Sequence, residues 1–154
     1  MKPDQLFCAI RKEWVAALPE ELVRQYWIQQ MIQELGYPAG GFALEKSLSQ
    51  IPHLSSNGIK LPSRRADIIF FAKGIHPSYD LYPLILIECK AVKLTPKVVH
   101  QVVGYNFYLR APFIGIVNQT ESQTGWFDHD KKEFVFKNSL LPFQQIIKSC
   151  KLLA

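Results

Sequence analysis

The stretch that decides the fold is Leu84-Ile85-Leu86-Ile87-Glu88-Cys89-Lys90-Ala91. Its opening run is aliphatic on both faces, the pattern of a central strand covered from two sides. A second such stretch, Ala66-Asp67-Ile68-Ile69-Phe70-Phe71-Ala72, lies just before it. Gly74, Pro77, Ser78 and Asp80 supply turn residues between the two. The pair is therefore predicted to form an antiparallel hairpin.

Working outward, Pro19-Glu20-Glu21 opens a helical pattern, with Pro at the first helical position and acids beside the positive helix end. Leu22, Ile28, Met31, Ile32 and Leu35 recur at helical spacing, and Gly36 follows as the stop. An earlier amphipathic turn is expected around Leu6 to Leu18. Gly40-Gly41 marks a loop, Phe42 to Leu48 alternates like a strand, and Ser49 to Ser63 is punctuated as a loop. Downstream, Thr95-Pro96 starts a helix to about Leu109. Phe113 to Val117 is a short strand, and Trp126 to Asp128 pairs with Glu133 to Phe136 around Asp130-Lys131-Lys132. A helix from Leu140 to Leu153 closes the chain. The order predicts an α/β (α+β) class with a central mixed β-sheet and helices on both faces.

The length of 154 residues suits one domain over 1–154 and leaves no room for a large ATP-driven motor. With 48% hydrophobic and 20% charged residues, disorder and a collagen-like fibre are excluded. The run Leu81 to Ile87 contains Pro83 and is far short of the ~20 residues of a membrane span. No apolar secretory stretch stands at the start. Cys8, Cys89 and Cys150 are odd in number and widely spaced, which argues for a reducing, cytoplasmic protein without a disulfide framework or zinc site.

Charge is concentrated. Residues 60–110 hold 8 basic and 3 acidic side chains, whereas residues 1–59 hold 5 and 6. A local positive field suits DNA or RNA, and an ordinary solvated basic face is the competing account.

Buried central strands should be apolar, yet Asp67, Glu88 and Lys90 interrupt these two. Strand period two puts Glu88 and Lys90 on one face and Cys89 on the other, where a thiol is ordinary core. If the strands pair, Asp67 can lie beside Glu88. Two adjacent buried carboxylates repel, and a divalent cation removes that penalty. Hard carboxylate oxygens suit Mg²⁺, or Mn²⁺, which polarises a phosphoryl oxygen and activates water. Lys90 can hold or deprotonate that water and neutralise developing charge. A buried ion network without chemistry is the competing account. Gln101 and Tyr105 share a face of the next helix and can orient a water, a phosphate or the metal site.

In this order the residues resemble the PD-(D/E)xK nuclease superfamily: Asp67, then Glu88-Cys89-Lys90, then Gln101-x-x-x-Tyr105. The closer resemblance is to the N-terminal nuclease-like domain of type I restriction enzyme R subunits. It is carried by Pro19-Glu20-Glu21-Leu22-Val23-Arg24-Gln25, Gly36-Tyr37-Pro38, Leu44-Glu45, Arg65-Ala66-Asp67-Ile68, Ile87-Glu88-Cys89-Lys90-Ala91 and Gln101-Val102-Val103-Gly104-Tyr105-Asn106. The resemblance implies a restriction-endonuclease-like fold. It implies that Asp67, Glu88 and the Cys89 backbone carbonyl hold the metal, that Lys90 is the catalytic lysine, and that Gln101 and Tyr105 support the site or the DNA backbone. Glu21 or Glu45 would supply a further acid, although Glu21 also suits the helix dipole and Glu45 an exposed strand position. Arg65, Lys93, Lys97 and His100 are the candidate DNA contacts.

Two departures stand out. Ala66 replaces the proline of the superfamily's name, and Asn118-Gln119 stands where the family tends to have Asn-Gly. Of the remaining side chains, the four histidines lack metal-ligand spacing, Asp128-His129-Asp130 suits a hairpin turn, and Phe107-Tyr108 offers either helix packing or a stacking surface for bases. The expectation is a Mg²⁺-dependent DNA endonuclease, acting as a homodimer or with multi-subunit restriction partners. The alternative is a non-catalytic DNA-binding or assembly module on the same fold.

Overall fold

The computed structural model describes residues 4–55 and 60–153, so residues 56–59 of the expected loop lie outside the described residues. A six-stranded mixed sheet runs β3-β4-β5-β6-β7-β8. Its strands are β3 (Phe42–Ser47), β4 (Arg65–Lys73), β5 (Leu81–Cys89), β6 (Phe113–Val117), β7 (Ser122–Asp128) and β8 (Glu133–Lys137). The helices are α1 (Pro19–Gln33), the short α2 (Pro52–Ser55), α3 (Pro96–Leu109) and α4 (Phe143–Leu153).

β4 and β5 are antiparallel, with Ile68 opposite Ile87 and Ile69 opposite Leu86. The register slips between Phe70 and Phe71, next to Pro83. A bulge there tolerates the ladder hydrogen bond that proline cannot donate. β5 and β6 are parallel, which requires a crossover, and α3 supplies it.

Alternation along the strands builds two cores. Ile68, Phe70, Ile85 and Ile87 pack with Val23, Ile28 and Met31 of α1 and with Ile146 and Ile147 of α4. Ile69, Leu86, Ile114 and Ile116 pack with Val98, Val102, Tyr105 and Leu109 of α3. Each such aliphatic side chain contributes about 1.5–3 kcal/mol on burial. The sheet is thus covered on both faces, as the apolar runs require.

Two expectations need correction. The segment around Leu6 to Leu18 is an antiparallel hairpin, β1 (Gln5–Cys8) with β2 (Glu13–Ala16). Phe7 sits opposite Trp14 with ring centroids 5.6 Å apart, and Lys12 makes the turn at φ 57°. Cross-strand aromatic pairing wins over the weak helical pattern. Along α1, Leu22 is 51% exposed, while Glu21 and Arg24 are buried beside Val23, Ile28 and Met31. Charged residues occupy core positions in the first turns of α1, and that is where the site begins. Gly36 closes the helix at φ 78°, a conformation glycine adopts without strain.

Candidate functional site

The ladder register places Asp67 and Glu88 as the next pair beyond Ile68 and Ile87. Each carboxylate is held from a different direction. Asp67 Oδ2 accepts the Cys89 backbone N–H at 2.8 Å, and Asp67 Oδ1 accepts Arg24 Nη2 at 2.8 Å. Glu88 Oε1 lies 3.2 Å from Lys90 Nζ. The Lys90 backbone N–H donates to the Val117 carbonyl at 2.9 Å, which fixes the lysine where β5 ends. Glu88 and Lys90 therefore share a side, as period two requires, while the Cys89 thiol is buried core.

Burial, and then the negative charge of Asp67, pushes the Glu88 carboxyl up to about 7 against the opposing pull of Lys90. A carboxylate poised near neutrality is what burial beside a like charge produces.

A second layer lies behind Asp67. Arg24 Nη1 donates to Glu21 Oε1 at 2.8 Å, and Arg11 Nη2 donates to both Glu21 oxygens at 2.8 and 2.9 Å. Gln25 Nε2 adds a bond to Glu21 at 3.1 Å. Burial works against the Glu21 charge, but the bonds from Arg11 and Gln25 and the charge of Arg24 outweigh it and lower the carboxyl below its ordinary value. Arg24 is likewise held above its ordinary value: burial opposes its charge, and Asp67 and Glu21 overcome that. Glu21 is thus a buried, doubly paired carboxylate and not simply a dipole acid at a helix end.

Glu45 approaches from β3, with 3.5 Å to Arg24 and 3.5 Å to Arg11. Its φ is 53°, while Leu44 and Lys46 on either side pair with Ile68 and Ala66. A non-glycine residue in the left-handed region costs about 1–3 kcal/mol. The strain accompanies a carboxylate brought toward two guanidiniums.

Tyr105 is buried, and its hydroxyl donates to the Lys46 carbonyl at 3.3 Å. Burial raises its pKa to about 12, the Arg64 charge lowers it, and the Glu88 charge raises it. Arg64 lies 5.8 Å from the Tyr105 ring centroid and donates to the Gln101 carbonyl at 3.4 Å. Gln101 is half-buried, and its side chain has no hydrogen bond among the described residues. Tyr105 is thus within electrostatic reach of Glu88 with its hydroxyl on β3, and Gln101 is tied to Arg64 through its backbone carbonyl. Arg65, Lys93, Lys97 and His100 are all exposed, the last three on the loop after β5 and the first turns of α3. Asp128 Oδ1 accepts the backbone N–H groups of Asp130 and Lys131, so that acidic triplet is a hairpin turn.

Sequence reasoning missed Arg11, Arg24 and Arg64. The available signal was Glu21 and Arg24, three apart on a helix face that also carries Val23 and Ile28. Four carboxylates (Glu21, Glu45, Asp67 and Glu88) face four cations (Arg11, Arg24, Lys90 and Arg64, whose charge also acts on Glu88), so the formal charges balance. Among the described residues no group of three or more His, Cys, Asp or Glu side chains is placed to hold a metal ion. Two carboxylates with free lone pairs still match Mg²⁺, which keeps several waters and needs only one or two protein carboxylates. The donor chemistry fits such an ion.

A family model described as type I restriction enzyme R protein N terminus (HSDR_N) matches residues 19–140. No curated protein and no solved structure matches the chain. Among the described residues no helix is long and apolar enough to cross a membrane.

Proposed function

We propose, for a chain that belongs to the type I restriction enzyme R protein N-terminal family, that it is a PD-(D/E)xK-type, Mg²⁺-dependent DNA endonuclease hydrolysing phosphodiester bonds. The observation that carries this reading is the approach of Asp67, Glu88 and Lys90 at the end of β5, with Glu88 pushed up to about 7. Asp67, Glu88 and the Cys89 carbonyl would hold Mg²⁺ or Mn²⁺. A bound divalent cation supplies Lewis-acid polarisation of the phosphoryl oxygen and a water of lowered pKa. Lys90 stands beside Glu88, where its ammonium neutralises charge developing on the phosphate and orients the attacking water. Arg24 holds Asp67 Oδ1, and the Cys89 N–H holds Oδ2, so the aspartate is set before any ion arrives. Tyr105 and Gln101 support the site from α3. Arg65, Lys93, Lys97 and His100 meet the DNA backbone. We read residues 1–154 as one restriction-endonuclease-like domain, acting in the cytoplasm, where the free thiols Cys8, Cys89 and Cys150 stay reduced, as a homodimer or with restriction-system subunits.

The test is cleavage of supercoiled plasmid with and without Mg²⁺ or Mn²⁺. Asp67→Asn and Lys90→Ala should each lower metal-dependent cleavage by ~10²-fold or more. Equal cleavage by wild type and both variants would overturn the reading.

A second reading, a non-catalytic DNA-binding module, draws on the internal pairing itself: Arg24 and Lys90 already balance Asp67 and Glu88. DNA binding that falls steeply with salt, with no cleavage under any metal, would favour it.

A further inference from the structure

We propose that a cavity at the opposite end of β5 from Glu88 binds an unpaired nucleobase together with its phosphate. The cavity measures about 510 Å³, and His76, Tyr79, Tyr82, Phe107 and Arg110 are among its walls. That volume falls in the usual small-ligand range of ~300–1,000 Å³.

Its rings form a clustered platform. His76 stacks on Tyr82 at 4.4 Å and 25°, and Tyr79 meets Tyr82 at 6.0 Å and 30° while tilting against His76 at 4.9 Å and 54°. The platform is fixed from below: the His76 Nδ1 accepts the Ser78 backbone N–H at 3.0 Å, and the Tyr82 hydroxyl donates to the Arg110 carbonyl at 2.9 Å. Tyr82 is nearly buried, whereas Tyr79 is 39% and Phe107 70% exposed. Exposed aromatic rings accept a base face without regard to its identity.

Arg110 supplies the other half. It caps α3 at φ 60°, with its N–H on the Asn106 carbonyl at 2.7 Å, so its backbone is pinned beside the rings. Among the described residues its guanidinium forms no ion pair, and no carboxylate lines the cavity. A planar guanidinium offers a phosphate two parallel N–H donors. Stacking rings beside a free guanidinium match a nucleotide better than a purely apolar guest, which would leave the charge uncompensated.

The chemistry has two sources, a free nucleotide or one residue of a single strand. Tyr82 and Glu88 are six residues apart on one strand, about 20 Å at ~3.3 Å each, so a polymer seated here could extend toward the carboxylate end.

The experiment uses the full chain without divalent metal, so nothing is cleaved. AMP and inorganic phosphate are titrated by calorimetry, and a fluorescein-labelled dT12 by anisotropy. Tyr79→Ala and Arg110→Gln, both at exposed positions, should each weaken binding by roughly tenfold or more. Asp67→Asn should leave AMP binding unchanged, so a failure of cleavage and a failure of this site are separable. Sensitive binding of AMP assigns a free nucleotide, and sensitive binding of dT12 alone assigns a strand; either supports the proposal. No binding of AMP or dT12, binding indifferent to both substitutions, or phosphate binding as tight as AMP would overturn it.

Discussion

Asp67 and Glu88 are neighbours across β4 and β5, yet their surroundings differ in kind. Asp67 has a hydrogen bond on each oxygen, one from the Arg24 guanidinium and one from the Cys89 N–H, and Arg24 is in turn braced by Glu21. Glu88 meets a single flexible ammonium at 3.2 Å and is pushed up to about 7. The α1 side of the site is thus dense with charge-assisted bonds, with only the buried Nε atoms of Arg11 and Arg24 left without a hydrogen bond among the described residues, whereas the β5 end carries an under-compensated acid. Dense pairing on one side and electrostatic need on the other is what a site that recruits a cation requires.

The largest expected effect breaks the densely paired side. Arg24→Met leaves Glu21 and Asp67 without their shared partner in a buried setting. Urea unfolding should show a loss of about 3–5 kcal/mol. Adding Asp67→Asn to that variant should restore part of it, because the carboxylate that lost its only ion pair among the described residues is then gone, whereas Glu21 keeps Arg11.

The next effect sharpens the other side. Glu88 has a native pKa of about 7 against an ordinary 4.5, so the native state holds its proton more tightly than the unfolded chain. Its contribution to stability is full below about 4.5 and is lost as the pH rises through 7. Glu88→Gln mimics the protonated acid. In metal-free buffer it should melt several degrees above wild type at pH 8, and the gap should close toward pH 5. A gap that is constant with pH would show that Glu88 is adequately compensated by Lys90.

The smallest effect belongs to Glu45. Its carboxylate is 43% exposed and sits 3.5 Å from each arginine. Glu45→Gln should change stability by no more than ~1 kcal/mol in the same urea experiment. A larger loss would move Glu45 from the margin of the network to its centre.

Much of this architecture was legible. The apolar runs at 66–72 and 84–91 predicted the central pair because two-sided burial leaves no polar positions to hide them. Glycine at 36 and proline at 96 marked a helix end and a helix start by backbone chemistry alone. The hairpin of β1 and β2 was not legible, since it rests on a Phe7–Trp14 pair whose partners meet only in space. Asp67, Glu88 and Lys90 announced themselves as charges inside apolar strands. Arg11 and Arg24 did not, because a charged residue on a helix is ordinarily solvated. Only the fold turns that face of α1 inward and leaves Leu22 outside. The aromatic cavity was half visible: Phe107 was noted as a stacking candidate, but its companions His76, Tyr79 and Tyr82 come from a turn and a strand far away in the chain.

The most direct test of the contrast between the two carboxylates is Mg²⁺ titration by calorimetry at pH 8 on wild type, Asp67→Asn and Glu88→Gln. Wild type should bind and both variants should not; no heat from wild type, or equal binding by all three proteins, would overturn the contrast.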